Sequence, residues 1–296
     1  MSSVQAVCVG VITIDTIALV EKYPGEDERV LADEISRAGG GPAAVAAVAL
    51  SRLGVKSAIV GTIGDDADGH EVLRIFAQEG VDTSGISIGS TPTAGSVIVA
   101  SREHSARAIS TRQPVAQAPI NDAAKKLIAN AKWVHVDHVG IKRLDEIGLA
   151  RGKGAQISFD AGYGVESFDP IVVDLFVPTD RQMALRYPGV DLAVALENDS
   201  LKAGNTVVAT QGSAGSAGFS PETGLVTAPG FKVEVTSTLG AGDVFHGALV
   251  AQLIHGHPLQ EAMRRANAVA ALSCRGLDGQ SKIPTTTELD AYLEAH

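Results

Sequence analysis

Three small residues followed by an acid are the part of the chain whose types and spacing most clearly suggest chemistry. Gly240, Ala241 and Gly242 precede Asp243, and an apolar helical pattern then continues to Gly256. The first amides of a helix have no internal partners and carry the positive end of the helix dipole, which suits a bound phosphate. Glycine also lets the backbone approach such an anion closely. The run therefore predicts a phosphate site at the start of a helix, with Asp243 at the helix cap.

The acid in this run needs an explanation, because a carboxylate beside a phosphate is repulsive. Asp243 could accept the proton of a hydroxyl group that attacks the phosphate. Before the turn, valines alternate with polar residues, which predicts a short strand over 233–236. Glycine-rich turns between strands and helices also occur as plain capped turns, so the turn alone is consistent with either interpretation.

The same turn resembles a family signature. The stretch Leu239–Asp243 is similar to the C-terminal motif of the ribokinase (phosphofructokinase-B) family of sugar kinases. In that family the glycine-rich turn is the anion hole and its Asp is the catalytic base, which implies these roles for 240–242 and for Asp243. The family usually begins this motif with Asp-Thr, whereas this chain has Ser237 and Thr238.

A second glycine-rich run lies nearer the N-terminus. Gly39, Gly40 and Gly41 precede Pro42, which suits the first turn of a helix. The run matches the dinucleotide pattern G-x-G-x-x-A, but that fingerprint follows a buried strand and residues 29–37 are rich in charge. The run instead resembles the N-terminal signature of the same kinase family, whose glycines let the backbone reach the sugar.

Further substrate contacts are predicted from one acid and several cations. Asp15 follows a predicted buried strand at 4–11, and open α/β sheets bind ligands at that edge, although a turn role is equally consistent. The family often holds the sugar with an Asn where this chain has Ala44, so other groups must do so. Cations in a chain of net charge −10 favour an anionic substrate, although each alone is consistent with a solvated surface charge. The candidate cations are Arg29, Arg107 and Arg112.

The resemblance also narrows the substrate. The motifs at 39–44, 210–215 and 243–248 are most similar to those of family members that phosphorylate the 1-hydroxyl of 6-deoxy-6-sulfofructose. This implies an ATP-dependent kinase of an anionic ketohexose, with a neutral sugar such as fructose or ribose as the alternative. Two other classes stay open, namely a nicotinamide-dependent oxidoreductase and a non-catalytic sugar-binding regulator. The presence of Asp243 speaks against the regulator.

The nucleotide side of the site is predicted from two further segments. A strand predicted at 206–210 ends in small residues, and an alanine-rich helix is predicted at 260–274. The resemblance implies that ATP binds there, with Mg²⁺. The family's Asn-x-x-Glu motif for magnesium is not found after the apolar run at 172–176, so the metal ligands stay unassigned and dependence on K⁺ stays open. The residues assigned to ATP are Thr210, Gly212, Ser213, Gly215, Gly240, Gly242, Asn267 and Ala271.

Buried strands that alternate with amphipathic helices predict one α/β domain over residues 1–296. The resemblance implies a three-layer ribokinase-like fold, with a mostly parallel central sheet flanked by helices. Half-exposed segments at about 16–37 and 92–112 predict a small second sheet. In the family such a sheet is a lid over the substrate and often a dimer contact, so a homodimer through the lid is expected. Other predicted strands lie at 57–64, 133–139 and 156–161, and other helices at 69–78, 121–130 and 287–293.

Composition excludes several classes of partner. The 296 residues are 45% hydrophobic, which is enough for a large core, and acids outnumber bases. The acidic balance argues against nucleic acid or an anionic membrane as partner. Cys8 and Cys274 are too few for a disulfide framework or a metal site. No apolar run reaches the length of a membrane span and no signal peptide is evident, so a cytoplasmic location is expected.

Overall fold

The computed structural model describes residues 4–103, 106–112, 116–162 and 168–296, which form two sheets and the helices that cover the larger one. In chain order the strands are β1 (Ala6–Val9), β2 (Thr13–Val20), β3 (Ala32–Gly40), β4 (Ser57–Gly64), β5 (Asp82–Gly89), β6 (Gly95–Ser101), β7 (Ala106–Arg112), β8 (Trp133–Val136), β9 (Gln156–Asp160), β10 (Leu175–Val177), β11 (Thr206–Thr210), β12 (Gly215–Ser220) and β13 (Gly224–Pro229).

The larger sheet has nine strands in the order β13-β12-β11-β10-β9-β8-β1-β4-β5. The pairs from β5 to β11 are parallel, and β12 and β13 add an antiparallel edge. Its central strands are continuous apolar runs, as in β4, where every residue is buried. Strands of this kind are expected where both faces of a parallel sheet are covered.

Helices cover both faces of the larger sheet, which confirms the predicted three-layer fold. One apolar cluster includes residues of the helices α1 (Pro42–Arg52), α6 (Ala241–Ile254) and α7 (Leu259–Ser273). A second cluster includes residues of α3 (Asp122–Asn130) and α5 (Leu192–Ala203). α6 packs between α1 and α7, which explains why its sequence is apolar on nearly every side. Among the described helices, none is both long and apolar enough to cross a bilayer. The helices are α1 (Pro42–Arg52), α2 (Ala67–Gln78), α3 (Asp122–Asn130), α4 (Asp180–Arg186), α5 (Leu192–Ala203), α6 (Ala241–Ile254), α7 (Leu259–Ser273) and α8 (Thr286–Glu294).

The predicted small sheet is also present, in the order β3-β2-β6-β7. β2 and β3 extend slightly beyond the segment predicted at 16–37, whereas β6 and β7 lie within the one predicted at 92–112. Residues 104 and 105 of the second segment lie outside the described residues. One face carries Ile17 and Ile98, which pack with Leu239 and Leu277. We call this the inner face, because Leu239 belongs to the glycine-rich turn before α6. The small sheet therefore lies against that turn.

The strand predicted at 233–236 is wrong. These residues belong to a loop and pair with no described strand, and Val235 is 56% exposed. The amides of Thr236 and Ser237 donate instead to the carbonyl of Cys274, at 2.8 and 3.1 Å. Because these amides bond to the end of α7, the segment with alternating valines is a loop and not a strand.

Candidate active site

The turn before α6 depends on a glycine in the left-handed region. Gly240 is the N-cap of α6 with a φ of 71°, a conformation that favours glycine. A Cβ at this position would also lie 3.0 Å from the Cα of Gly279. Because the helix begins at Ala241, Asp243 lies in the first turn and not at the cap, which corrects the prediction from sequence.

The amides of this turn are not equivalent. The amide of Ala241 donates to the carbonyl of Thr238 at 3.3 Å, so its predicted role as an anion donor is weakened by an internal partner. A Cβ on Gly242 would meet no atom within 4 Å. Gly242 therefore presents bare backbone to open space at the positive end of α6, as a phosphate site requires.

Asp243 lies among other acids. Burial raises the pKa of Asp243 well above its usual range, and the adjacent carboxyl of Asp160 raises it further. Asp137 also raises this pKa, whereas Arg107 lowers it. The site therefore disfavours the carboxylate form, which makes Asp243 a stronger proton acceptor once it is ionised.

Asp137 joins two loops beside the site. Its carboxylate accepts hydrogen bonds from the amides of Val11 at 2.7 Å, Val139 at 2.8 Å and Gly140 at 2.9 Å. Burial raises its pKa, and these amides oppose that increase. Asp137 thus connects the end of β1 to the turn after β8, at the carboxyl edge of the large sheet where ligands bind in such folds.

A further polar group was missed by sequence reasoning. His246 follows Asp243 in α6, and its Nε2 lies 3.4 Å from Oδ1 of Asp160. His135 bonds Ser158 at 3.2 Å, and its ring centroid is 5.7 Å from that of His246. The only signal in the sequence was that His135 and Asp160 fall on predicted strands, and the structure shows that these strands are neighbours in the sheet.

Asp15 is placed where it can bind a ligand, although it lies within β2 and not in a turn after β1. It is 8% exposed, and its Oδ1 has no hydrogen-bond partner among the described residues. Burial raises its pKa, and the neighbouring Ser96 and Thr13 partly offset this. A Cβ on Gly40 would overlap the carboxylate of Asp15. The absence of a side chain at this position is therefore what makes room for Asp15.

The neighbouring glycines shape the same junction. Gly41 is the N-cap of α1 with a φ of 95°, and a Cβ there would overlap the carbonyl of Val11. A Cβ on Gly39 would lie 3.3 Å from the side chain of Gln280. Gly41 thus allows a close approach of the backbone, whereas a side chain at Gly39 would crowd Gln280. The predicted contacts of Gly39, Gly40 and Gly41 with a sugar stay a prediction.

Of the three predicted cations, Arg107 faces the site. It lies on β7 opposite Ala100, in the row of the sheet that contains Leu19 of the inner face. Its Nη1 donates to Oγ1 of Thr238 at 3.1 Å. It also lowers the pKa of Asp243. A cation of the small sheet thus reaches the turn that begins α6.

Arg112 is on the other face, which corrects its assignment to the substrate. It lies opposite Gly95, in the row of Ile14, and its Nη2 lies 2.9 Å from Oδ2 of Asp68 in α2. The physical reason is strand alternation, since Arg107 and Arg112 are an odd number of residues apart. Arg29 lies exposed in the β2–β3 connection and makes no hydrogen bond or ion pair with a described residue, so its role stays a prediction.

A cavity of about 590 Å³ opens beside Gly242. Phe231, Val233 and Ala270 give it an apolar wall, and Lys232 contributes a cation. Small-molecule sites commonly combine such walls with a few polar groups. The predicted nucleotide residues on its wall are Thr210, Gly212, Ser213, Gly215, Gly242, Asn267 and Ala271.

Two residues assigned to the nucleotide have structural roles. Gly240 does not line the cavity but shapes the turn beside it. The side-chain amide of Asn267 donates to the carbonyl of Ala228 at 3.0 Å and to Ser216 at 3.1 Å. These bonds join α7 to β12 and β13, so Asn267 contributes to the wall mainly by holding it together.

Comparison with known proteins shows the family of this chain. Residues 4–286 match the model of the pfkB family of carbohydrate kinases. The chain belongs to that family. It is 29% identical to a ketohexokinase of Mus musculus over 94% of this chain and 99% of that one. It is 27% identical to an ATP-dependent ribose-1-phosphate kinase of Halopiger xanaduensis over 98% of each chain. A ribokinase of Arabidopsis thaliana, solved with ribose and ATP, superimposes with a TM-score of 0.79 at 21% identity over 99% of each chain.

As a pfkB kinase, the protein is an ATP-dependent phosphotransferase that acts on a sugar. The nicotinamide alternative is thereby wrong. The run before Gly39 belongs to β3, an edge strand of the small sheet whose residues are mostly exposed. A dinucleotide fingerprint instead requires a buried strand before its glycines.

Proposed function

We propose that this kinase transfers the γ-phosphoryl group of ATP to the 1-hydroxyl of an anionic ketohexose, with 6-deoxy-6-sulfofructose as the best candidate. The observation that carries the proposal is the position of Arg107. It is a cation on the inner face of the small sheet, beside Asp243, in a site otherwise rich in acids. Carboxylates such as Asp15 suit sugar hydroxyls, whereas an anionic tail requires a cation.

The proposed chemistry assigns one task to each end of the site. The sugar lies between the inner face of the small sheet, which acts as a lid, and the carboxyl edge of the large sheet. Asp15 accepts hydrogen bonds from sugar hydroxyls with its unpaired oxygen. Asp243 takes the proton of the attacking hydroxyl, and the amide of Gly242 with the dipole of α6 stabilises charge on the transferred group. ATP occupies the cavity beside Gly242.

Magnesium is proposed to enter with the nucleotide. Among the described residues, no group of three or more His, Cys, Asp or Glu side chains is arranged to hold a metal ion. Mg²⁺ prefers oxygen ligands, keeps several waters and often binds through substrate phosphates with one or two carboxylates. When bound, it neutralises charge on the phosphates. The chain's own part is to hold the phosphates at the start of α6.

The relatives support a ketohexose or an anionic sugar without deciding between them. The mouse relative is named for ketohexoses, and the Halopiger relative for ribose 1-phosphate, which is an anionic sugar. Both align over nearly the whole chain. The charge of the substrate therefore has to be tested on this kinase directly.

Arg107→Ala should separate the anionic from the neutral sugars. Charge-assisted hydrogen bonds are worth about 1.5–3 kcal/mol, or roughly ten- to a hundredfold in affinity. We expect kcat/KM for sulfofructose and fructose 6-phosphate to fall by that factor more than kcat/KM for fructose. In the wild type, sulfofructose should have the highest value of the three. The measurement is steady-state kinetics on all three sugars at saturating ATP.

Arg112→Ala is the matched control, because Arg112 lies on the same strand but on the opposite face. It should leave the ratio between anionic and neutral sugars unchanged. A higher kcat/KM for fructose in the wild type would contradict an anionic substrate. An equal loss for all three sugars in Arg107→Ala would also contradict it, and would assign Arg107 to the transferred phosphoryl group.

We also propose that the outer face of the small sheet, which is the face opposite the inner one, joins two copies of the chain. Ile35 and Val97 lie on this face and are 71% and 59% exposed, which is unusual for apolar side chains on one sheet. Ile35→Glu should convert a dimer to a monomer in analytical ultracentrifugation. Ile171→Glu, at a 53% exposed site away from the small sheet, should not. A wild type that sediments as a monomer at micromolar concentration would rule the dimer out.

A further inference from the structure

A buried polar network lies behind Asp243, and the mechanism proposed above does not use it. Asp160 at the end of β9 and His246 in α6 are each 6% exposed. Nε2 of His246 lies 3.4 Å from Oδ1 of Asp160, and the amide of Gly162 donates to the same oxygen at 2.9 Å. Asp243 lies one turn before His246 on the same side of α6, which places the carboxyl of Asp160 next to Asp243 as well. Asp160 is thus held on one side and faces Asp243 on the other.

We propose that Asp160 is a positioning residue that shares a proton with Asp243, and that His246 holds Asp160 in place. This inference rests on the proposed role of Asp243 as the base. Two carboxylates in contact repel each other strongly when both are ionised, and one proton held between them relieves that repulsion. The pair is therefore a better proton acceptor than a single carboxylate.

Each bond and the proton can be followed through the transfer of the phosphoryl group from ATP to the sugar. The O–H bond of the sugar hydroxyl breaks and its oxygen forms a bond to the γ-phosphorus of ATP. The bond between that phosphorus and the bridging oxygen breaks, and ADP leaves with the electron pair. The proton of the hydroxyl goes to the ionised pair, where the hydrogen bond between Asp243 and Asp160 holds it.

The charged groups around Asp243 come from each element packed against it. Burial raises the pKa of Asp243 most, then Asp160 from β9 and Asp137 from the end of β8 raise it, while Arg107 from β7 lowers it. On α6 itself, burial lowers the pKa of His246, and Asp160 opposes this. His246 is therefore neutral at neutral pH. Of the two side chains in this buried network, Asp160 is the one whose charge acts on Asp243.

Asp160→Asn should change the pH dependence of the reaction. Because Asp243 must be ionised to act, kcat/KM for the sugar falls as the pH drops below the pKa of the pair. Removal of the neighbouring charge lowers that pKa. The acidic limb of the pH profile, which is the pH range where kcat/KM falls as the pH drops, should therefore move to lower pH. At the pH where the wild type keeps about a tenth of its plateau, the variant should keep more than about half of its own plateau.

Ser158→Ala is the matched control, because Ser158 bonds His135 in the same network but carries no charge that could shift the pKa of Asp243. Its acidic limb should coincide with that of the wild type. A folded Asp160→Asn protein with an unmoved limb overturns the proposal. Should that variant not fold, ¹³C NMR of labelled aspartates in the wild type decides. Two titration steps at the Asp243 resonance support a shared proton, and a single step overturns it.

The outcome also separates this inference from the proposed function. If Asp243→Asn loses activity but the acidic limb of the pH profile of Asp160→Asn coincides with that of the wild type, only the shared proton is overturned. Activity above about a tenth of wild type in Asp243→Asn overturns the proposed base itself.

Discussion

Asp243→Asn should lower kcat by roughly a hundred- to ten-thousandfold, because asparagine keeps the shape of the side chain and cannot take a proton from the sugar. The measurement is kcat at saturating ATP and sugar, in the pH range where the wild-type rate is constant. A variant that keeps more than about a tenth of the wild-type kcat would show that another group accepts the proton.

Two controls show whether the variant has lost only the base. Its affinity for ATP should be preserved, since the cavity wall beside Gly242 is unchanged. Its stability should rise at neutral pH, because the fold raises the pKa of Asp243 above that of the unfolded chain. The ionised Asp243 lowers the free energy of unfolding of the wild type. This loss of stability is fully present above the folded-state pKa and disappears as the pH falls below the unfolded-state pKa. We therefore expect Asp243→Asn to have a higher Tm than the wild type at pH 7, and the two Tm values to converge below about pH 3.

Gly242→Val should lower kcat/KM for ATP by roughly a hundred- to a thousandfold. This is the loss typical of removing one donor to a developing anion. The side chain would project into the open space next to the first amides of α6, so it would occupy the place of the phosphate. Steady-state kinetics with varied ATP, together with ATP binding by calorimetry, measures the effect.

Substitutions at Gly242 should lower activity without destabilising the fold, so the loss of activity can be distinguished from misfolding. Gly242 has no neighbour within 4 Å of an added Cβ, and it is not in the left-handed region. Valine also has a higher helix propensity than glycine, so the Tm should not fall. Gly242→Ala adds only one carbon and should give an intermediate loss. Unchanged kinetics in a folded Gly242→Val protein would mean that the phosphate binds elsewhere.

Local chemistry made much of this site predictable. Gly240 must adopt a left-handed conformation before a helix, and Gly40 must leave room for a carboxylate. The second requirement depends on Asp15 of the neighbouring strand β2, whereas the first acts over a few residues and so leaves a readable pattern in the chain. The same holds for the small residues at 210–215, which end a buried strand where a nucleotide can approach. The fold class followed from the alternation of buried strands and helices.

Strand and helix boundaries were less predictable where the partner was distant. The segment at 233–236 alternates like a strand but is a loop that bonds to the end of α7. The helix after it begins two residues before Asp243, because the cap conformation of Gly240 sets its start. A distant contact decided the first of these elements, and the local conformation of Gly240 decided the second.

The sequence by itself determined the glycine-rich turns, the acid at 243, and the order of strands and helices that supports them, because these depend on neighbours in the chain. Tertiary structure alone decided which distant groups meet Asp243. Asp137 and Asp160 converge there because the ends of parallel strands share one edge of the sheet. It also decided that Arg107 faces the site and Arg112 does not. Alternation shows that two residues lie on opposite faces of a strand, but only packing shows which face covers the ligand.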